Sequence, residues 1–495
     1  MTELALIRPP VVHLKADFYG SIPGIPSGLA YLASAVRAAG FPVSIIDAYG
    51  QAPHRFYSFR NRYRARGLTP GETARLTPVN AVAGISVHCA GEHSMACAIV
   101  GELKSLAPSR PVVVGGYHAT FVPEDFIRAG ADYVVLGEGE RRLPELLARL
   151  EGDRSIEGLE GIAFQGGMVD RRTRYTVNLD SQPFAAVDLL PLENYWKLGY
   201  GHGPVMRGVR YMNILTSRGC PYKCSFCQAP GMSGGHWLSK SAERVLEEIR
   251  WHRDTYGVTD FHIQDENFAV NRNRVRDICR GLIDSALDIT FCFPSGLKME
   301  TIDDSLLKLL IRAGMRYFSL SPESGSRRVL ELMNKTADID RVPELAAIAS
   351  RAGVAACCFF VAGTPGETRD DRRETRNYIR KLARCGVEEV VMPIMTPFPS
   401  TPAMAEPELQ GFAEMDELCF SPVWRHDYRR LDRFRRAAYL HFYIARLISH
   451  PLRFLSLLGR IVTGKCRTKG EMTARRMFRD AVDRIASLRQ PGVDC

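Results

Sequence analysis

Short, nearly continuous apolar runs alternate with helical segments twice along this chain of 495 residues, a pattern that few folds accommodate. A strand that is apolar at almost every position has to be covered on both faces, as in a parallel sheet flanked by helices. In the first series, residues 3–8, VSIID at 43–47, AVAGISV at 81–87, PVVVGG at 111–116 and YVVLGEGE at 133–140 read as strands. A helix over 27–39 follows the first of them, with Ser27 as N-cap and Gly40 as stop. In the second series YMNIL at 211–215, FHIQ at 261–264, ITFCF at 289–293, RYFSL at 316–320, ACCFFV at 356–361 and EVVMPI at 389–394 are strands. Helices at about 241–256, 272–287 and 303–313 lie between them. The first series predicts an open α/β sheet over residues 1–150. The second predicts an incomplete parallel barrel of six strand–helix units over 206–400. Residues 151–205 connect them, with a hairpin round Gly166-Gly167, and 401–495 form a helical C-terminal region.

The loop after the strand at 211–215 carries the sharpest chemical signal. LTSRGCPYKCSFCQ places Cys220, Cys224 and Cys227 in a C-x3-C-x2-C run, and Gly219 and Pro221 keep that run out of a helix. Thiolates at this spacing can converge on one soft metal centre, and three of them fit an iron–sulfur cluster with one iron left open. Zinc would want a fourth ligand, for which His236 is the nearby candidate. Three incidental thiols in a reduced protein are the plain alternative. Cys279, Cys292, Cys357, Cys358 and Cys385 fall on apolar positions and read as core, while Cys89 and Cys97 are too few for a second cluster. Thirteen cysteines without a regular framework argue against a secreted disulfide scaffold. The N-terminus has no apolar signal core, and no run reaches the roughly 18–20 apolar residues of a membrane span. A cytoplasmic, reduced protein is expected.

Ligands of parallel sheets sit beyond the carboxyl ends of the strands. In the first series those ends are the 9–26 loop, Ser86-Val87-His88, Gly115-Gly116-Tyr117-His118 and Gly137-Glu138-Gly139-Glu140. In the second they are Asp265-Glu266-Asn267-Phe268, the Ser321–Ser326 stretch, Gly363-Thr364-Pro365-Gly366-Glu367 and Pro397-Phe398-Pro399. Hydroxyls and carboxylates there can hydrogen-bond a ribose or an ammonium group, although loops are built from the same residues.

The cysteine run resembles the signature of the radical S-adenosylmethionine (radical SAM) superfamily. Ser86, the Gly115-Gly116 pair in VVVGGYHATFVPED, and GEGE resemble the cobalamin-binding domain of its methyltransferase-like class. ESGS…VLELMNK and GTPGET extend the likeness through the second series. The resemblance implies an α/β fold class: a flavodoxin-like sheet of the cobalamin-binding type, a partial (β/α)6 TIM-like barrel, and a helical C-terminal region that closes a substrate cavity. It implies a [4Fe-4S] cluster on Cys220, Cys224 and Cys227. It further implies S-adenosylmethionine near Phe226, Asp265, Glu323, Ser324 and Gly363, and cobalamin near Ser86, Gly115, Gly116 and Gly137. In one respect the chain departs from cobalamin domains of the methionine-synthase kind. Their D-x-H-x-x-G motif is missing, and in DFYGSI Tyr19 stands where the cobalt-binding histidine would be. His88 and His118 are the substitutes on offer, though loop-end histidines are more often structural. The implied activity is methyl transfer to an unactivated carbon or phosphorus centre of a small molecule, through methylcobalamin and a 5′-deoxyadenosyl radical. An electron donor such as flavodoxin or ferredoxin would serve it. A radical oxidative cyclase or ring-rearranging enzyme is the alternative within the same architecture. A non-catalytic cobalamin or redox sensor is a second alternative, and no DNA-reading motif supports it. No nucleic-acid partner is expected.

Much of the net charge of +10 lies at 55–66 and from 425 onward. Solvated basic faces are the commoner reason for such charge. In the C-terminal region Arg and Lys interleave with apolar residues at helical spacing. A membrane-surface face is one outcome; packing against the barrel with snorkelled arginines is the expected one.

Overall fold

The computed structural model describes residues 2–14, 24–60, 63–169, 177–199 and 201–487, so Tyr19 and the DFYGSI stretch lie outside it. Its N-terminal sheet has the spatial order Gly167–Val169, Ile162–Phe164, Tyr133–Val135, Val112–Gly115, Val82–Ser86, Leu4–Arg8, Val43–Asp47. The five strands that come first in the chain are parallel and run 2-1-3-4-5, an order that reverses between Leu4–Arg8 and Val82–Ser86. The crevice of such a sheet opens at the carboxyl ends of those two strands. Leu4, Ala5, Ile7, Val82, Ala83, Val112 and Val114 are buried, as apolar runs covered on both faces require.

Several local expectations shift, each for a visible reason. Ser27 is the first residue of helix Ser27–Ala38 and not its cap, because its hydroxyl donates to Asn213 O of the barrel at 2.7 Å. The apolar run at 133–140 is strand only to Val135; Gly137 turns at φ 68° and Gly139 begins helix Gly139–Glu151. The hairpin at Gly166-Gly167 forms, but it adds two antiparallel strands to the sheet and is no part of a free connector. The connector itself is pinned by Tyr195, which donates to Asp47 Oδ2 at 2.6 Å. The basic stretch at 55–66 is more than a solvated face: Phe56–Phe59 and Tyr63–Arg66 pair antiparallel, and Tyr63–Arg66 pairs on with Val11–Leu14. Tyr63 and Ala65 are buried beneath that small sheet.

The second domain is an open barrel of six parallel strands in sequential order: Tyr211–Ile214, Asp260–Ile263, Thr290–Leu297, Met315–Glu323, Ala355–Phe360 and Glu389–Val391. Its helices start where side chains can hold their free N–H groups. Ser241 Oγ accepts from Arg244 N at 3.1 Å, Asp303 from Leu306 N at 2.8 Å, and Thr368 forms a capping box with Asp371. Helix Arg272–Asp284 stops short of 287 because Ser285 bonds back to Gly281 O and Ala286 turns at φ 47°.

The region read as one C-terminal closing unit divides in two. Residues 396–427 cover the carboxyl ends of the barrel strands, where Arg425 Nη1 donates to Gly363 O at 3.0 Å and to Met395 O at 2.9 Å. Helix Tyr428–Ser449 then descends beside helix Arg369–Arg384 to the amino-terminal end, with helices Pro451–Thr463 and Lys469–Ser487 below. Two of the arginines turn inward instead of snorkelling as expected. Arg435 and Arg446 are only 2 % exposed, held by Asp432 and by Glu388. Lys469 enters the lumen from this end and donates to Pro294 O at 2.6 Å.

A buried charge cluster docks the two domains. Lys240 pairs with Glu248, which also accepts from Tyr31 of the first domain, and all three are nearly inaccessible. Glu248→Ala strands the Lys240 ammonium and should lower stability by about 3–5 kcal/mol, with Glu248→Gln milder, read as urea midpoints. Acid should also loosen the fold. His118, His252 and His262 are each pushed down to about 3, chiefly by burial. Groups depressed in this way stabilise the fold above their unfolded value, and that stability drains away as pH falls below about 6.5 toward the folded value. On unfolding near pH 5 each of these three histidines should therefore take up about one proton, measurable residue by residue from imidazole NMR titrations of the native and the urea-unfolded protein.

Candidate active site between the two domains

The cysteine loop leaves the first barrel strand through Thr216 and Ser217, and each attachment of that loop is identifiable. Gly219 has φ 85°, and a Cβ there would lie 2.1 Å from His236 O, so only glycine fits. Ser225 N donates to Met333 O at 2.9 Å, Ser225 O accepts from Ala403 N at 3.0 Å, and Asn334 Nδ2 donates to Lys223 O at 2.8 Å. Cys220, Cys224 and Cys227 are all partly exposed, and Asn267 Nδ2 lies 3.8 Å from Cys220 Sγ. Burial pushes the Cys227 thiol up to about 12, with Cys224 and Cys220 adding to it. Burial raises Cys224 as well, with Lys335 opposing and Glu323 and Cys220 reinforcing. Three thiols near enough to disfavour one another's ionisation are a donor set that fits a multinuclear cationic cluster. Among the described residues no three His, Cys, Asp or Glu side chains surround a single ion, and His236 is exposed. The donor set favours the cluster over zinc.

The residues expected round S-adenosylmethionine have distinct surroundings. Asp265 is 2 % exposed, and its carboxylate accepts from Thr216 N at 2.7 Å, Thr216 Oγ1 at 2.6 Å and Ser217 Oγ. Those bonds make it a brace of the cysteine loop. Ser324 is likewise engaged, its hydroxyl 3.0 Å from Thr375 Oγ1 and accepting from Ser326 N. Gly363, at φ 81°, has its α-carbon against Leu431, where a Cβ would lie 2.4 Å from Cδ1. Phe226 packs with Val329, Met333, Met395 and Leu409 beside the cysteines. Glu323 is buried at φ 60°, a conformation non-glycine residues adopt at a cost on the order of 1 kcal/mol and most often at functional sites. Lys335 Nζ holds its carboxylate at 2.8 Å. Gln264 Nε2, Asn267 Oδ1 and Thr364 Oγ1 are buried at these strand ends without a protein partner, which suits a polar ligand.

On the facing domain Ser86 and Gly115 pair in register at adjacent strand ends, so nothing larger than a hydroxymethyl stands on that row. This suits a ligand that approaches the backbone closely. Gly116 answers to packing: at φ 102° its Cβ would lie 2.7 Å from Val87 O. Gly137 N donates to Thr120 Oγ1 at 3.0 Å, and Thr120 donates to Gly116 O, so Thr120 joins the two glycine turns. His118 is buried with its Nε2 3.1 Å from His93 Nδ1, which makes it structural; His88 is exposed at its strand end.

Sequence reasoning missed the residues that join the two halves. Arg218, two positions before Cys220, pairs with Glu138 at 3.5 Å and with Glu140. Burial pushes Glu140 upward, but Arg218 outweighs it and holds the carboxyl below its ordinary value. Glu266 accepts from Gly219 N and, at 3.1 Å, from Tyr117 of the first domain. Ser94 N donates to Asp416 Oδ1 at 3.1 Å, tying the cover to the same domain. The GEGE and DEN runs were signals for these contacts, but nothing local in the sequence pairs them.

Comparison with known proteins accords with this geometry. The Radical SAM superfamily model matches residues 214–379, and the B12 binding domain model matches 22–147. The chain thus carries a radical SAM domain together with a B12-binding domain. It is similar to an uncharacterized methyltransferase of Pyrococcus horikoshii, 28% identical over 89% of this chain and 92% of the relative. It is also similar to the cytidylyl-2-hydroxyethylphosphonate methyltransferase of Streptomyces wedmorensis, 24% identical over 81% of each chain. The fold matches the radical S-adenosylmethionine methyltransferase TsrM from Kitasatospora setae, solved with tryptophan substrate and a SAM analog. That match has a TM-score of 0.63 and 17% identity over 81% of this chain and 75% of that one. A radical SAM domain joined to a B12-binding domain implies a [4Fe-4S] cluster, S-adenosylmethionine and cobalamin.

The packing role of Gly116 is open to test. Gly116→Ala combines strain with a backbone overlap and should destabilise by about 2–3 kcal/mol or more. Gly40, at φ 92° with nothing within 4 Å of its Cβ position, should lose only about 1 kcal/mol as Gly40→Ala. Thermal melts of the two variants side by side measure the difference.

Proposed function

We propose that this radical SAM enzyme transfers a methyl group to an unactivated carbon or phosphorus centre of a small molecule. The observation that carries the reading is the Arg218 linkage. It fastens the cysteine loop of the barrel to Glu138 and Glu140, the strand end on which cobalamin would rest, so both cofactor sites face one joint. When bound, the cluster, S-adenosylmethionine and cobalamin supply the electron, the radical precursor and the methyl carrier. Cys220, Cys224 and Cys227 would hold the cluster, next to which S-adenosylmethionine would bind. Phe226 and Glu323 border that molecule, and Ser324 and Gly363 shape the turns beside it. Asp265 and Glu266 fix the backbone of the cysteine loop through Thr216, Ser217 and Gly219. Ser86 and Gly115 would line the cobalamin side, with Gly116 and Gly137 shaping the turns beside it. The 396–427 segment covers the joint and keeps water from a reactive intermediate. A cytoplasmic flavodoxin or ferredoxin would deliver the electron.

Anaerobic reconstitution should give about four irons per chain and retain added hydroxocobalamin. Turnover with S-adenosylmethionine and a reductant should then yield S-adenosylhomocysteine together with 5′-deoxyadenosine. 5′-Deoxyadenosine without S-adenosylhomocysteine would move the assignment to cyclisation or rearrangement. Cys224→Ala should lose both the cluster absorbance and turnover; turnover without iron would sink the proposal.

A further inference from the structure

Helix Pro451–Thr463 buries none of its residues, although Leu452, Leu455 and Val462 recur on one side of it. They are 81%, 60% and 82% exposed. The preceding helix continues the surface with Leu440, Ile444 and Ile448, which are 60%, 47% and 77% exposed and again share one stripe. An amphipathic helix normally turns such a stripe into the core, and exposed apolar surface gathered on two successive helices marks an interaction face.

The charge round this face selects its occupant. From Arg433 to Gly470 the chain has nine Lys and Arg residues and no Asp or Glu. Arg435, Arg446, Arg460, Arg467 and Lys469 turn inward to Asp432, Glu388, Glu471 and Pro294 O. Arg433, Arg436, Arg453 and Lys465 are exposed. In a symmetric pairing of two copies this face would meet itself, cation against cation. An anionic lipid surface complements both the charge and the apolar stripes. No helix among the described residues is long and apolar enough to cross a membrane, so the mode is a helix lying in the interface. The face also lies at the amino-terminal end of the barrel, where Arg453 reaches Ser350 and His450 reaches Arg384 O. Docking there leaves the cysteine loop at the opposite end free.

We propose that helices Tyr428–Ser449 and Pro451–Thr463 seat this protein on anionic lipid bilayers, apolar stripes in the acyl boundary and arginines among the headgroups. Sedimentation of the full-length, cluster-loaded chain with vesicles tests it, using phosphatidylcholine alone and phosphatidylcholine with phosphatidylglycerol. Binding should be at least about tenfold stronger to the anionic vesicles and should weaken in high salt. The double variant Leu455→Asp/Val462→Asp should bind about tenfold or more weakly while keeping its iron content and visible spectrum, since neither residue touches the core. No sedimentation with either vesicle would overturn the proposal, as would equal binding by the variant. A concentration-dependent dimer broken by the same substitutions would overturn it too, by showing that the face is buried between copies.

Discussion

One guanidinium sets the geometry on which the site depends. Arg218 lies between Thr216–Ser217, which Asp265 braces, and Gly219, which Glu266 anchors, and it reaches across the joint to Glu138 and Glu140. Its side chain is only 16% exposed, and its partners are 4% and 8% exposed, so solvent screens these pairs weakly. A planar fork between two carboxylates fixes direction as well as distance. Protein contacts therefore fix the position of the cysteine loop relative to the Gly137 turn.

The opposite end of the barrel is closed by polarity where an apolar plug would have served. Lys469 enters among Cys292, Cys357 and Phe359, and burial lowers its ammonium while Cys357 and Glu389 oppose that shift. Glu389 accepts from the backbone of Lys469 at 3.1 Å and of Gly470, and burial still pushes its carboxyl up to about 7. Lys469 Nζ is held by Pro294 O and Glu389 by two backbone N–H groups, so the end of the lumen away from the cysteines is stoppered by polar groups that have partners. Gln264, Asn267 and Thr364 offer buried polar atoms without protein partners at the carboxyl end, where a ligand would be met.

What the sequence made legible is what is local in the chain. The strand–helix alternation predicted both sheets, because a buried parallel strand must be apolar throughout. The cysteine trio was legible from its spacing, and the strand ends from the glycine and acid clusters that close each run. The bracing was not. Arg218 and Glu140 are 78 residues apart, and Ser217 and Asp265 are 48 apart, so no local pattern announces either contact. Asp265 and Ser324 look like ligand-facing polar residues until their hydrogen bonds are traced, and Gly116 looks like a ligand cradle until its approach to Val87 is measured. In the C-terminal region helical spacing was plain, but spacing alone does not say whether an apolar stripe meets a protein core. Only the placement of Leu452, Leu455 and Val462 on the outside decides that.

Buried charge at the domain joint, set beside a continuous apolar core, has a physical rationale. Among the linkages that span it are Lys240 and Glu248 with Tyr31, Arg218 with Glu138 and Glu140, Glu266 with Tyr117, and Asp416 with Ser94. Buried ion pairs are a poor source of net stability, because desolvation offsets most of the attraction. Their distinctive property is intolerance of displacement. An apolar interface can slide by an ångström with little change in buried area, whereas a desolvated carboxylate that loses its partner is left at full cost. Radical chemistry between two cofactors held by different domains is sensitive to displacements of that size. Joining the domains through buried charge at separate points trades stability for a single register, and that register is what brings the cysteine loop and the glycine turns to one place.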